Sequence, residues 1–429
     1  MADYDAIVVG AGLAGSTAAY CMAKAGMSVL MLERGDTAGS KNVTGGRLYG
    51  HSLEKIMPGF AEEAPIERVV TKEVITMMTE DSAFNIDFSS TKFKEDPAKA
   101  SYTVLRAPFD EWLAGKAEEA GCDVVCPARV DDFIRENGKI TGIIAGEDEL
   151  TGDVVILADG VNSLLAQKAG LKKELTPHQV GVGVKEVIEL PEDVINSRFC
   201  LEKGEGMARL MAGAVSQGIM GGGFLYTNKE SLCLGMIHGV EGMMTAKNRL
   251  PDMMESFKNH PFIKPLIEGG KLVEYSAHLV PEAGIHMLPT VFADNLLVTG
   301  DAAGFVINLG FTVRGMDFAI ASGEAAAQTA IAAKEKGDYS SAALSGYKTR
   351  LEQSFVLQDM KTFSNAPGFI EHTTRLYNEY PEMVEKIFLS MFTVDNKPSQ
   401  KMIKKMLPIV RQAGIFNLMK DGIKGVGAI

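Results

Sequence analysis

The chain is poor in cysteine. Its five residues, Cys21, Cys122, Cys126, Cys200 and Cys233, are odd in number and scattered. That pattern excludes a disulfide framework and suits a reducing compartment. No CxxC occurs. The single close pair, Cys122 and Cys126 in GCDVVCP, has no third or fourth thiol nearby and reads as two small core residues on one face of a short strand. An iron–sulfur cluster held by this chain alone is thereby excluded. The seven histidines show no HxH or HExxH spacing, so no metal site is expected. No run of about 18 apolar residues appears, which excludes a membrane-spanning helix. No basic and apolar leader precedes the first strand-like run, so the expectation is a cytoplasmic chain without a signal peptide.

What is present begins at once. A length of 429 residues with 46% apolar content describes an ordinary globular protein of two or more interleaved domains. The whole is organised around its first 33 residues. The apolar run DAIVVG enters Gly10-Ala11-Gly12-Leu13-Ala14-Gly15, an Ala-rich helical pattern follows, and a second apolar run from Ser28 ends on Glu33. Strand, glycine turn, helix, strand and acid in that order form a dinucleotide-binding fingerprint. Gly10 permits the tight turn, Gly12 lets a pyrophosphate approach the backbone, and Gly15 lets helix and strand pack closely. The helix N-terminus offers N–H groups and positive potential to phosphates. Glu33 suits two ribose hydroxyls, where a basic residue would instead suit a 2′-phosphate. The fingerprint implies an ADP moiety and leaves NAD or FAD open.

The net charge of −12 is unevenly spread: from Lys397 onward seven Lys or Arg stand against one acid, Asp421, leaving −18 on the remainder. An acidic body argues against nucleic acid as a partner. The basic tail, KMIKKMLPIVRQAGIFNLMKDGIKG, mixes cationic and apolar residues. It suits an anionic membrane surface, an acidic protein partner or a solvated helix.

Along the chain, SKNVTGGRLY places a glycine pair near the nucleotide turn. VVTKEVITMM and FNIDF break the βα rhythm and suggest a second, inserted sheet. YTVLRAPFDEWL reads as an extended run and then a helix from about Pro108, with Arg106 just before it. DVVILADG is another buried strand, and 180–188 and 207–236 look like a larger sheet. The core rhythm returns at DNLLVTGDAAG and a long Ala-rich helix, about Gly315 to Ala333, before a mainly helical remainder.

GAGLAG with Glu33, LRAPFDEWL, ILADG and VTGDAAG stand in one order and spacing that resembles FAD-dependent oxidoreductases of the glutathione-reductase-like fold, in the aromatic-hydroxylase branch. SKNVTGGRLY and GDAAGFVINLGFTVRGMDFAIASGEAAA narrow this to a resemblance, across essentially the whole chain, to the FixC-type flavoprotein of electron-transfer-flavoprotein:quinone oxidoreductases. The resemblance implies FAD, with Arg106 beside its ribityl or phosphate region, Asp159-Gly160 near the cofactor, and Asp301 of Gly300-Asp301 on a ribityl hydroxyl. The helix after that pair would aim its N-terminus at the flavin. Further cofactor contacts are expected at Leu13, Ala14, Arg34, Gly45, Gly46, Arg47, Val130, Gly310, Phe311 and Thr312. For Arg47 and Arg314 the alternative is an ion pair. Gly222, Phe224, Tyr226 and Asn308, with the segment His278 to Leu288, are candidates for a quinone cleft, ordinary sheet packing being the competing reading.

The expected fold is α/β: a Rossmann-like FAD-binding domain (1–65, 101–175, 289–335), an interleaved antiparallel-sheet substrate domain (66–100, 176–288) and a helical C-terminal region (336–429). The resemblance further implies electrons from an electron-transfer flavoprotein, delivered to a membrane quinone by a peripheral protein on the inner face of the cell membrane. Mitochondrial-type relatives carry a four-cysteine [4Fe–4S] domain at the C-terminus. This tail has no cysteine, so a separate ferredoxin-like subunit is implied. The alternatives are an isoprenoid double-bond reductase of the geranylgeranyl-reductase type, a flavin relay subunit without its own quinone site and, less favoured, a flavin monooxygenase. No catalytic side chain is assigned, because a flavin would supply the redox chemistry.

Overall fold

The computed structural model describes residues 2–41 and 46–429. Gly45, one of the expected cofactor contacts, lies outside the described residues. The apolar runs of the fingerprint form adjacent parallel strands, Tyr4–Val9 and Val29–Leu32, joined by the helix Leu13–Lys24. Asp148–Leu157 and Leu296–Val298 extend the parallel sheet on one side, and Asp123–Val125 extends it on the other. These strands are apolar because both faces are buried, with helices such as Leu13–Lys24 and the hairpin Asp132–Glu136 with Lys139–Ala145 joining the same core. Ile7, Val8, Leu30, Ile156 and Leu297 are buried at its centre.

Among the described residues the second sheet has nine strands. From one edge it runs Lys271–Pro281, Val180–Glu189, Ser231–Gly239, Gly221–Thr227, Glu205–Gly213 and Ile66–Met78. It is antiparallel with one exception: Glu205–Gly213 runs parallel to Ile66–Met78, the long connection between them passing through part of the first domain. Alternate residues face two different environments. Val184, Leu225, Leu234 and Met236 pack under the helix Leu250–Asn259, with Met253 and Phe257. The opposite face carries Gly222, Phe224, Tyr226 and Lys185, as the period of two requires.

Two strands counted with the first domain on sequence instead lie at the edge of the second sheet: Ser101–Val104 pairs with Ile66–Met78, and Gly46–Tyr49 pairs with Ser101–Val104. Backbone pairing overrides position in the chain here, and the residues between the sheets form their own core of Leu48, Tyr102, Val104, Phe109 and Ile320. Arg106 is the first residue of the helix Arg106–Glu119 rather than its predecessor, since Pro108 fits the first helical turn. The helix Met316–Lys336 crosses Leu13–Lys24 so closely that a Cβ on Gly323 would overlap the Ala14 carbonyl oxygen. From Ser341 the chain is helical, ending in Met402–Gln412 and Ile415–Ala428. Among the described residues no helix is long and apolar enough to cross a membrane.

Candidate active site

The nucleotide turn is built by contacts that only glycine allows. Gly10 has φ +102°, and a Cβ there would strike the Ala158 carbonyl; one on Gly15 would strike the Gly10 carbonyl oxygen. Gly12 precedes the helix with no side-chain cap and no acid in its first turn, leaving that end open to an anion. The Glu33 carboxylate is held at the tip of its strand by two backbone donors, Ala11 N–H at 3.0 Å and Gly35 N–H at 2.7 Å. Leu13 and Ala14 are buried behind this turn, and Arg34 is exposed beside it. Val130 packs partly buried against the same core.

A second turn closes on the first. Gly300–Ala303 follows the strand Leu296–Val298, and a Cβ on Gly300 would come within 2.7 Å of the Ala14 Cβ. Burial pushes the Asp301 carboxyl above the ordinary carboxylate range, against the pull of Arg106 and Lys172. The Arg106 guanidinium is oriented by a bidentate pair with buried Asp110, at 2.9 and 2.8 Å. Gly46 stands against Arg106 and Met316. Asp159 accepts from Ser163 Oγ at 2.7 Å, and burial raises its carboxyl; Gly160 follows with φ +80°. The structure therefore brings Gly10, Gly12, Gly15, Glu33, Gly46, Arg106, Asp159 and Asp301 around one site.

Lys172 was not legible as part of it. Its buried ammonium donates to the Val161 carbonyl at 2.6 Å and the Ala302 carbonyl at 2.9 Å, tying the Asp159 loop to the Asp301 turn. Burial lowers its pKa. In sequence it sits in a polar run, LKKE, with nothing to distinguish it from a surface lysine. Lys185 was also missed, although a lysine inside the apolar strand VGVGVKEVIE was a usable signal. Its Nζ lies 5.5 Å from the centre of the Phe224 ring, and burial pushes its pKa down to about 8. Burial likewise lowers His278, with Arg106, Lys185 and Arg34 adding like-charge repulsion. Those three cations and Lys172 stand at this junction among the carboxyls of Asp110, Asp159 and Asp301.

Other expected contacts lie differently. Arg47 is engaged with Glu73 and donates to Ser101 Oγ, and its guanidinium rests 4.5 Å from the centre of the Tyr49 ring. Arg314 pairs with Asp317 and Asp359, and Asp317 also meets His51 at 3.1 Å. Gly310, Phe311 and Thr312 form the turn of a small hairpin, Ile307–Asn308 with Val313–Arg314. The Gly310 N–H donates to Asn308 Oδ1, and Phe311 is exposed. Asn308 Nδ2 donates to Glu282 at 3.4 Å, and burial pushes the Glu282 carboxyl up to about 7. On the sheet, Phe224 and Tyr226 stack with centroids 5.2 Å apart, and burial raises the Tyr226 phenol.

Family models match in three consecutive segments: FAD dependent oxidoreductase over residues 5–181, ETF-QO, ubiquinone-binding over 180–280, and ETF-QO/FixC family C-terminal domain over 366–429. The chain is 53% identical over 426 residues to the probable electron transfer flavoprotein-quinone oxidoreductase YdiS of Escherichia coli K12, covering 99% of each chain. It is 38% identical to protein FixC of Azorhizobium caulinodans, covering 98% of each. The chain belongs to the FixC family.

FAD is the cofactor of this FixC-family oxidoreductase, and the glycine turns, Glu33, Arg106 and Asp301 present donors and acceptors that fit it. The ubiquinone-binding match coincides with most of the second sheet, including Phe224, Tyr226, Lys185 and His278. Among solved structures, a geranylgeranyl bacteriochlorophyll reductase-like protein from Thermoplasma acidophilum superposes with a TM-score of 0.73 at 22% identity, over 98% of this chain and 99% of that one. The halogenase CndH follows at 0.67 and 18%, over 96% of this chain and 97% of that one. These likenesses establish the shared fold.

Proposed function

We propose that this chain passes electrons from an electron-transfer flavoprotein, by way of a separate ferredoxin-like [4Fe–4S] subunit, through FAD to a membrane quinone. The observation that carries the reading is the face of the second sheet that bears Phe224, Tyr226, Lys185 and His278. It lies where the charges of Arg106 and Arg34, from the nucleotide half, act on it. An apolar, aromatic wall meeting a charged cofactor site is what a flat hydrophobic acceptor requires.

On this reading Gly10, Gly12 and Gly15 hold the pyrophosphate on the helix N-terminus, and Glu33 receives the adenosine ribose. Asp301 and Arg106 orient the ribityl chain, and Gly46 leaves room for the ring. The bound cofactor supplies the redox chemistry; the residues of the chain bind, orient and exclude water. Gly222, Phe224 and Tyr226 line the acceptor cleft.

The last helix supports contact with the membrane surface. Asp421 is clamped by Arg375, at 2.7 and 3.0 Å, and by Tyr380, so that the helix leaves Phe416, Ile423 and Val426 exposed beside Lys420 and Lys424. Apolar anchors with cations fit an anionic lipid interface.

The test is anaerobic. Purified protein with its ferredoxin-like partner receives reduced electron-transfer flavoprotein and a short-chain quinone, and quinol is measured. Quinol that depends on this chain, and is lost when Asp301→Ala sheds flavin, supports the proposal. Direct reduction by NADPH, or flavin that stays oxidised, overturns it in favour of a reductase or monooxygenase.

A further inference from the structure

Away from the cofactor site, three side chains from distant parts of the chain converge on one point. His178 sits in the 3-10 turn Pro177–Gln179, at the entry to the strand Val180–Glu189. Glu241 lies in the first turn of the helix Val240–Thr245, and Glu371 in the last turn of Ala366–His372, in the C-terminal region. His178 Nδ1 stands 2.6 Å from Glu241 Oε2 and 2.8 Å from Glu371 Oε1, and all three ligand atoms lie within 4.8 Å of one another.

This arrangement is poorly balanced by protons alone. An imidazole Nδ1 carries one hydrogen and can serve one carboxylate well, yet two are aimed at it. Two carboxylate charges face at most one imidazolium charge. Among the described residues no lysine or arginine pairs with either glutamate; the other neighbour is His372, 3.9 Å from Glu371. Glu371 also sits at the C-terminal end of its helix, where the helix dipole disfavours an anion. A divalent cation would answer each of these at once.

We propose that His178, Glu241 and Glu371 bind a divalent transition-metal ion of the zinc or manganese class, with water completing its shell. One imidazole nitrogen and two carboxylate oxygens suit such ions. The site would pin the C-terminal helix Ala366–His372 to the second sheet, across a cleft of about 890 Å³ whose wall includes His178, Glu371 and Glu282. It escapes sequence inspection because its three ligands are far apart and in no spacing motif. Neighbouring Glu371 raises the His178 pKa, so metal and proton compete for the same nitrogen.

The test uses the full-length, FAD-loaded, chelator-treated protein, titrated calorimetrically with Zn²⁺ and with Mn²⁺ at two pH values. The expected result is one site per chain, tighter at the higher pH and weakened at least about tenfold in both Glu241→Gln and Glu371→Gln. It should be accompanied by a metal-dependent rise in melting temperature that both variants lose. Flavin absorbance verifies that the variants are folded, and His178→Gln serves if either glutamate variant is not. Absence of a one-to-one heat, or binding that all three variants retain, overturns the proposal. So does a His178 titration that the variants shift by NMR while no metal binds, which would make the cluster a shared-proton ion pair.

Discussion

Gly323→Ala should damage cofactor binding from behind. Gly323 is not itself an expected FAD contact, but its Cα faces the backbone of Ala14, which is one, where the helix Met316–Lys336 crosses Leu13–Lys24. An added Cβ would overlap the Ala14 oxygen and sit 3.1 and 3.2 Å from its carbonyl carbon and Cα. Both sides of the contact are backbone, so no side chain can swing away, and the helices must part by about 1 Å. Overpacking of this kind costs about 1–3 kcal/mol, and the absence of a flexible neighbour places this site toward the upper end. Because the N-terminus of Leu13–Lys24 is where we propose the phosphates bind, part of the cost falls on FAD affinity; if half did, Kd would rise about tenfold. The assay is flavin fluorescence quenching on the deflavinated protein, with thermal melting in parallel. Gly115→Ala is the control: it lies inside the helix Arg106–Glu119 with nothing within 4 Å of its added Cβ, and should stabilise by about 0.5–1 kcal/mol. A Gly323→Ala protein with wild-type affinity and melting temperature would refute the crossing argument.

Three further outcomes follow from single contacts. Lys172→Met strips the ammonium from two buried carbonyls and should lower unfolding free energy by about 2 kcal/mol in urea melts, with weaker FAD retention. Burial raises the Glu282 pKa from 4.5 to about 7, so its ionisation costs stability increasingly as pH rises through that window. Glu282→Gln should therefore melt higher than wild type above pH 7 and match it below about pH 4.5; a pH-independent difference would contradict the assignment. Arg375 holds the Asp421 carboxyl below its usual range, so its stabilisation is present above the ordinary carboxylate pKa near 4 and lost as pH falls through the depressed value. Asp421→Asn should expose the last helix, seen as faster tryptic cleavage at Lys420 and Lys424 at neutral pH.

The nucleotide half was readable from sequence because its requirements are local. A tight turn, an open helix end and an acid at the next strand tip are satisfied within 33 consecutive residues, and the residue types state their own purpose. The basic, apolar tail was legible for the same reason, although sequence did not show that its lone acid, Asp421, is the clamp. Tertiary structure decided whatever depends on distant partners. Arg47 became ion-paired because Glu73 was brought to it, and Arg314, whose pair with Asp317 three residues on is local, gained Asp359 as a second partner that no spacing announces. Lys172 joined the site because two loops, far apart in sequence, needed one donor between their carbonyls. Gly46–Tyr49 and Ser101–Val104 moved to the second sheet because strands go where their hydrogen-bond partners are. Local sequence specifies a turn or a periodicity; which faces meet is fixed by the packing of the whole chain, and with it the company each charge keeps.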